Sequence, residues 1–289
     1  MHGGDRELGG SRACAGRGGA ADSEEGGRFL NPPTARTRVF TVLGNPVEHS
    51  LSPVIQNAAF HEAGVDGVYT ALRCDAEGMV GFMSGLGWAG GGGNVTLPHK
   101  EKAASVLDEP SEAVRRTGAC NPFWGEDGKL CGDNTDVVGF GRALQHCLGG
   151  PAAGYRVLLL GAGGAARAVL LSLVDDQAED VLILNRTVER ARAVARRIGG
   201  DRVRVAESRS DVDGGQFELV VNTTRLGLAP EDELPCDLER LSRAGAVMDL
   251  VYGPDATAFV AASKSLGIPA VDGGDMLVHQ GAVAFERWW

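Results

Sequence analysis

The chain has 289 residues, 43% of them hydrophobic, which is enough for one large core or two modest ones. A formal net charge of −10 argues against a nucleic-acid groove or an anionic membrane surface as the main partner, so an anionic ligand must be met by locally placed cations. No apolar run approaches the roughly 20 residues that span a bilayer, and the N-terminus lacks a signal-peptide core, so the expectation is a cytoplasmic protein with no membrane and no nucleic-acid partner.

Residues 1–35 are rich in glycine and mixed charge and poor in large apolar side chains, which predicts a disordered tail. From Arg38 the pattern changes. "RVFTVLG" reads as a strand, "SPVIQNAAFHEAG" as a helix ended by Gly64, and "VYTALR" as a second strand, an α/β alternation. Ser52 before Pro53 has the form of an N-cap followed by proline in the first turn. The stretch "GGGNVTLPHKEK" then presents Lys100 and Lys102; two residues apart on a helix they point in different directions, so at most one serves a given site. "VRRTGACNPFWGEDGKLCGDNTD" reads as two short strands around the turn "GEDG", followed by a helix opening at Asn134-Thr135-Asp136.

The third stretch begins with the apolar strand Val157 to Leu160, which runs directly into Gly161-Ala162-Gly163-Gly164-Ala165-Ala166 and a helix. In that strand-turn-helix context the glycine pattern predicts a dinucleotide site, with bare backbone admitting a pyrophosphate to the amide donors of a helix N-terminus. The next strand, "VLIL", ends where a carboxylate would bind an adenosine ribose hydroxyl; this chain offers Asn185-Arg186-Thr187, with Arg190 one turn on. Guanidinium and hydroxyl groups suit a 2′-phosphate, so NADP is favoured over NAD. Further strands in "FELVVNTT" and "AVMDLVY" continue a parallel sheet, and "GDMLVHQGAVAFERWW" reads as a closing helix with Asp275 as its cap. The six cysteines and six histidines show no metal-ligand spacing, so no metal site and only reduced thiols are expected.

Seven segments, "GNPVEHSLSP" (44–53), "GNVTLPHK" (93–100), "CGDNTDVVGF" (131–140), "GAGGAARAV" (161–169), "NRTVERA" (185–191), "DLVYGPDAT" (249–257) and "GGDMLVHQGAVAFERW" (273–288), occur in an order that resembles the shikimate dehydrogenases from Arg38 to the C-terminus. The resemblance implies a Rossmann NADP-binding domain at 134–272 and a discontinuous α/β substrate-binding domain at 36–133 and 273–289, closed by the C-terminal helix. It implies NADPH-dependent reduction of 3-dehydroshikimate to shikimate, by a monomer or homodimer. Lys100 and Asp136 fall on the catalytic pair, and Ser50, Ser52, Thr96, Asn121, Tyr252 and Gln280 on positions that hold the substrate. Thr223 and Gly273 join Gly161, Ala162, Gly163, Gly164, Ala165, Asn185, Arg186, Thr187 and Arg190 on the cofactor side. A quinate or aminoshikimate dehydrogenase and a non-catalytic NADP-binding regulator remain as alternatives. Three departures from the family pattern stand out: Pro122 after Asn121, Gln56 where histidine is frequent, and Arg225 within "NTTRLGL".

Overall fold

The computed structural model describes residues 32–229 and 231–289. Most of the segment expected to be a disordered tail lies outside the described residues; its last part, at Thr34 to Thr37, closes a turn through the Thr37 amide and the Thr34 carbonyl.

The first half of the chain builds β1 (Arg38–Gly44), α1 (Ser52–Glu62), β2 (Gly67–Arg73), α2 (Ala76–Trp88), β3 (Gly92–Val95), α3 (Lys100–Ala104), β4 (Glu109–Pro110), α4 (Glu112–Thr117), β5 (Pro122–Glu126), β6 (Lys129–Gly132) and α5 (Asp136–Leu148). Its six strands form one mixed sheet in the order β2-β1-β3-β5-β6-β4. Both faces are covered. Phe40 and Val42 point into an aromatic core with Phe60 of α1, whereas Leu43 points into a second core with Met79 and Met83 of α2. Side chains alternate across the pleat, so one strand feeds both layers.

The second half builds β7 (Arg156–Leu160), α6 (Gly164–Asp175), β8 (Asp180–Leu184), α7 (Val188–Val194), β9 (Val203–Val205), β10 (Gln216–Phe217), β11 (Leu219–Asn222), β12 (Arg243–Ala244), β13 (Val247–Asp249), α8 (Ala258–Ser265), β14 (Ala270–Val271) and α9 (Gly274–Trp288). Six of these strands form a second, wholly parallel sheet in the order β9-β8-β7-β11-β13-β14. Relabelled by chain order this is 3-2-1-4-5-6, the doubly wound dinucleotide-binding arrangement, whose direction reverses between β7 and β11. Ligands in such sheets bind at that reversal, beyond the carboxyl ends of the strands.

"FELVVNTT" does not form one strand. Phe217 pairs with Ala244 in the separate β10–β12 ladder, and the main sheet begins only at Leu219. Glu218 lies at the break, where its carboxylate binds the Arg156 guanidinium at 2.8 Å and the Arg156 amide at 2.9 Å.

The two sheets are joined through helices. Met276 near the start of α9 belongs to the core under the second sheet, and Ala284 and Trp288 near its end belong to the aromatic core of the first. The last turn of α4 is also held by two arginines from the second half of the chain. Arg197 donates to the carbonyls of Arg115 and Arg116 at 2.7 and 3.0 Å, and Arg167 to that of Thr117 at 3.0 Å. Arg116 itself pairs with Asp175 on α6. Among the described residues no helix is long and apolar enough to cross a membrane.

Candidate active site

One cavity of about 470 Å³ runs between the sheets. It brings together nearly every residue singled out in the sequence: Ser50, Ser52, Thr96, Lys100, Asn121, Asp136, Tyr252 and Gln280, with Gly161, Ala162, Gly163, Gly164, Ala165, Asn185, Arg190, Thr223 and Gly273. Arg186 and Thr187 are exposed on the loop beyond β8 and do not line it.

Lys100 and Asp136 are the first residues of α3 and α5, so two helix N-termini face each other. A carboxylate suits such an end, whereas an ammonium opposes the peptide dipoles. Local helix energetics therefore do not explain Lys100. Its Nζ donates to Asp136 Oδ2, and the two side chains are only 15% and 5% exposed. Lys102 faces solvent, as its offset predicts.

Asn121 holds the pair. Its main chain continues the first sheet's ladder, accepting from Val95 and donating to Asp133, so the following proline leaves it extended as expected. Its Nδ2 lies 3.1 Å from Asp136 Oδ1, 2.9 Å from Thr135 Oγ1 and 3.1 Å from Gln280 Oε1, while its Oδ1 accepts from the Thr135 amide. Gln280 reaches this point because Gly139 lets α9 lie directly on α5; a Cβ at Gly139 would stand 2.7 Å from that of Gln280.

Tyr252 approaches from the far side, on the loop after β13. Burial pushes its phenol above the usual tyrosine range, and the Leu51 backbone and Ser50 hydroxyl draw it back. The loop is shaped from below by Asp249, whose buried carboxylate accepts from Asn222, Val251 and Thr257. Burial raises its carboxyl above the ordinary range, and the three donors offset part of that.

Sequence patterns missed Asn94. It lines the cavity, its Oδ1 accepts from Tyr69 at 2.7 Å, and its buried Nδ2 has no partner among the described residues. The available signal was an amide within an otherwise apolar strand. Arg225 also lines the cavity, on the cofactor side. Gln56 does not; its Nε2 donates to the Gly281 carbonyl and ties α1 to α9. His99 is buried, with its Nε2 2.9 Å from the Cys74 carbonyl oxygen.

Two expected caps are absent. Ser52 lies within the first turn of α1, Leu51 takes the cap position without a side-chain bond, and the Ser52 hydroxyl is left to the cavity. Gly273 occupies the cap position of α9, while the Asp275 carboxylate turns sideways to His146 and Cys147. The five described cysteines are free, and Cys14 lies outside the described residues.

The cofactor side fits an NADP pyrophosphate. Gly161 has φ +113°, and a Cβ there would come within 2.6 Å of Thr223 Oγ1, so only glycine passes between β7 and β11. Gly163, at the cap of α6, is open, and no side chain caps that helix. The first amides of α6 thus face the cavity ready for an anion. At the tip of β8, Asn185 braces the loop through the Thr187 carbonyl. Among the described residues the Arg186 and Arg190 guanidiniums form no ion pair, whereas Arg192 is taken by Glu189 and Glu207.

The chain matches a family model for the shikimate dehydrogenase substrate binding domain over residues 42–122 and one for shikimate / quinate 5-dehydrogenase over 144–213. It is 38% identical over 255 residues to shikimate dehydrogenase (NADP(+)) of Bacillus cereus, covering 87% of this chain and 92% of the relative. The crystal structure of shikimate dehydrogenase from Aquifex aeolicus superposes with a TM-score of 0.80 at 35% identity, covering 88% of this chain and 93% of that one. The shikimate 5-dehydrogenase of Thermus thermophilus, solved in complex with NADP(H) and shikimate, gives 0.76 at 39% identity over 86% and 92%. Sequence, fold and site geometry agree, and the chain belongs to the shikimate dehydrogenase family.

Proposed function

We propose that this chain is an NADP-dependent shikimate dehydrogenase, reversibly reducing 3-dehydroshikimate to shikimate on the route to chorismate and the aromatic amino acids. The observation that carries the reading is the Lys100–Asp136 pair opening onto the same cavity as the uncapped N-terminus of α6.

Bound NADPH supplies the hydride for the substrate's carbonyl carbon. Lys100 donates a proton from its ammonium to the ketone oxygen as negative charge develops there, and recovers the proton in the reverse direction. Asp136, gripped by Asn121, orients the ammonium and balances its charge. Ser50, Ser52, Thr96, Asn121, Tyr252 and Gln280 supply hydrogen-bonding groups to the polyol and carboxylate. Gly161 to Ala165, Thr223 and Gly273 form the dinucleotide bed, and Asn185, Arg186, Thr187 and Arg190 receive the 2′-phosphate.

The domain division that suits this reading is 36–133 with 273–289, against 134–272. A monomer or a homodimer accords with this reading. A cytoplasmic setting accords with the use of NADPH and with the free thiols.

Purified protein assayed with shikimate and quinate, each with NADP and NAD, tests the reading. Shikimate with NADP should give the highest kcat/KM by about tenfold or more, the scale set by one or two charge-assisted bonds. Replacing Arg186 and Arg190 with serine should raise KM for NADP and leave that for NAD nearly unchanged. Preference for quinate, or no turnover with any pair, would overturn the assignment.

A further inference from the structure

A second cluster of chemically active side chains lies away from the catalytic cavity, where the end of α5 meets the start of α9. His146 and Cys147 are neighbours on the last turn of α5, and Asp275 is in the first turn of α9. His146 Nδ1 is 2.8 Å from Asp275 Oδ2, and Cys147 Sγ donates to the same oxygen at 2.9 Å. The three ligand atoms all lie within 4.8 Å of one another. His279 follows Asp275 by one helical turn, and its ring centre is 6.3 Å from that of His146. None of the four lines the catalytic cavity.

We propose that His146, Cys147 and Asp275 form a three-ligand binding site for a divalent cation of the zinc type, bridging α5 and α9, with water completing the tetrahedron. A tetrahedral ion with bonds of about 2.0 to 2.3 Å sets its ligand atoms roughly 3.3 to 3.8 Å apart, within about 1 Å of the observed spacing. The mixed imidazole, thiolate and carboxylate set selects a borderline ion over magnesium or calcium, which require oxygen ligands throughout. Ligation displaces the thiol proton to solvent and moves the His146 Nδ1 proton to Nε2, so that the Asp275 oxygen exchanges its two hydrogen bonds for the metal. An adjoining surface cavity lined by Cys147, Asp272 and Asp275 gives the hydrated ion a way in. Sequence spacing conceals the site because the adjacent His146 and Cys147 stand 128 residues or more before Asp275, on another helix. The bridge would tie together the helix that carries Asp136 and the helix that carries Gln280.

Metal-free, untagged full-length protein should be titrated with Co²⁺ as a spectroscopic probe, and then with Zn²⁺. One equivalent of Co²⁺ should bring up a thiolate-to-metal absorption that Zn²⁺ abolishes by displacement, and Zn²⁺ should raise Tm. Cys147→Ser should remove the absorption, and His146→Ala should weaken Zn²⁺ binding by about tenfold or more, both variants keeping parental turnover in metal-free buffer. Absence of saturable binding, or a thiolate band that persists in Cys147→Ser, would overturn the proposal.

Discussion

Lys100 is the residue whose position local forces explain least, since its charge sits at the wrong end of its own helix and, among the described residues, is paired only with Asp136. In the proposed mechanism, removing it takes away a proton donor without opening the substrate's other contacts. Lys100→Ala should therefore lower turnover by about 10²-fold or more while shikimate binding, followed by calorimetry, changes far less. Turnover near the parental value would remove Lys100 from the mechanism. The lysine was legible in the sequence only through the ordered motifs around it, because a lone lysine before a short helix carries no chemical signal. Asn121 was legible as a position but not as the amide that grips Asp136, since that contact joins three separate segments. Asn94 escaped because strand patterning registers which face a side chain occupies and not whether its amide finds a partner.

Strands and helices were legible where one local rule dominated. β1 matches "RVFTVLG", and the strand entering Gly161 differs from expectation by one residue. "FELVVNTT" failed because apolar runs do not reveal where a ladder changes partners, and Glu218 marks that change. Hydrogen bonding to Arg156 holds the Glu218 carboxyl down at about 2. A carboxyl with a depressed folded-state pKa stabilises the fold above its unfolded value and loses that stabilisation as pH falls toward the folded value. Glu218→Gln should thus cost about 1 to 2 kcal/mol at pH 7, allowing for solvent screening of a partly exposed pair. The deficit should shrink between roughly pH 4.5 and 2, where wild type also loses the charge. Urea midpoints of both proteins at pH 7 and pH 3 check this; an equal deficit at both would assign the loss to packing.

At the scale of the whole molecule, the glycine pattern and strand alternation sufficed to predict a parallel dinucleotide-binding sheet, and the expected closing helix is α9, which begins in one core and ends in the other. Composition does not reveal why residues 132 and 273 are glycine. Leu107 and the Leu250 carbonyl press on them within 2.6 and 2.3 Å of a Cβ, so close packing accounts for both. Hydride transfer needs reacting atoms about 3 to 3.5 Å apart, and the cavity walls come from both sheets. Solution scattering should accordingly show compaction when NADP and shikimate are added together, and an unchanged profile in an enzyme that turns over normally would count against closure. The arginine contact on α4 has a consequence for how this protein tolerates change over generations. Its acceptors are main-chain oxygens, present whatever residue occupies 115, 116 or 117, so drift on that side leaves them in place. The constraint is one-sided: it falls on Arg167 and Arg197, and on position 118, where φ is +67° and any side chain would meet the Arg197 guanidinium at 3.0 Å.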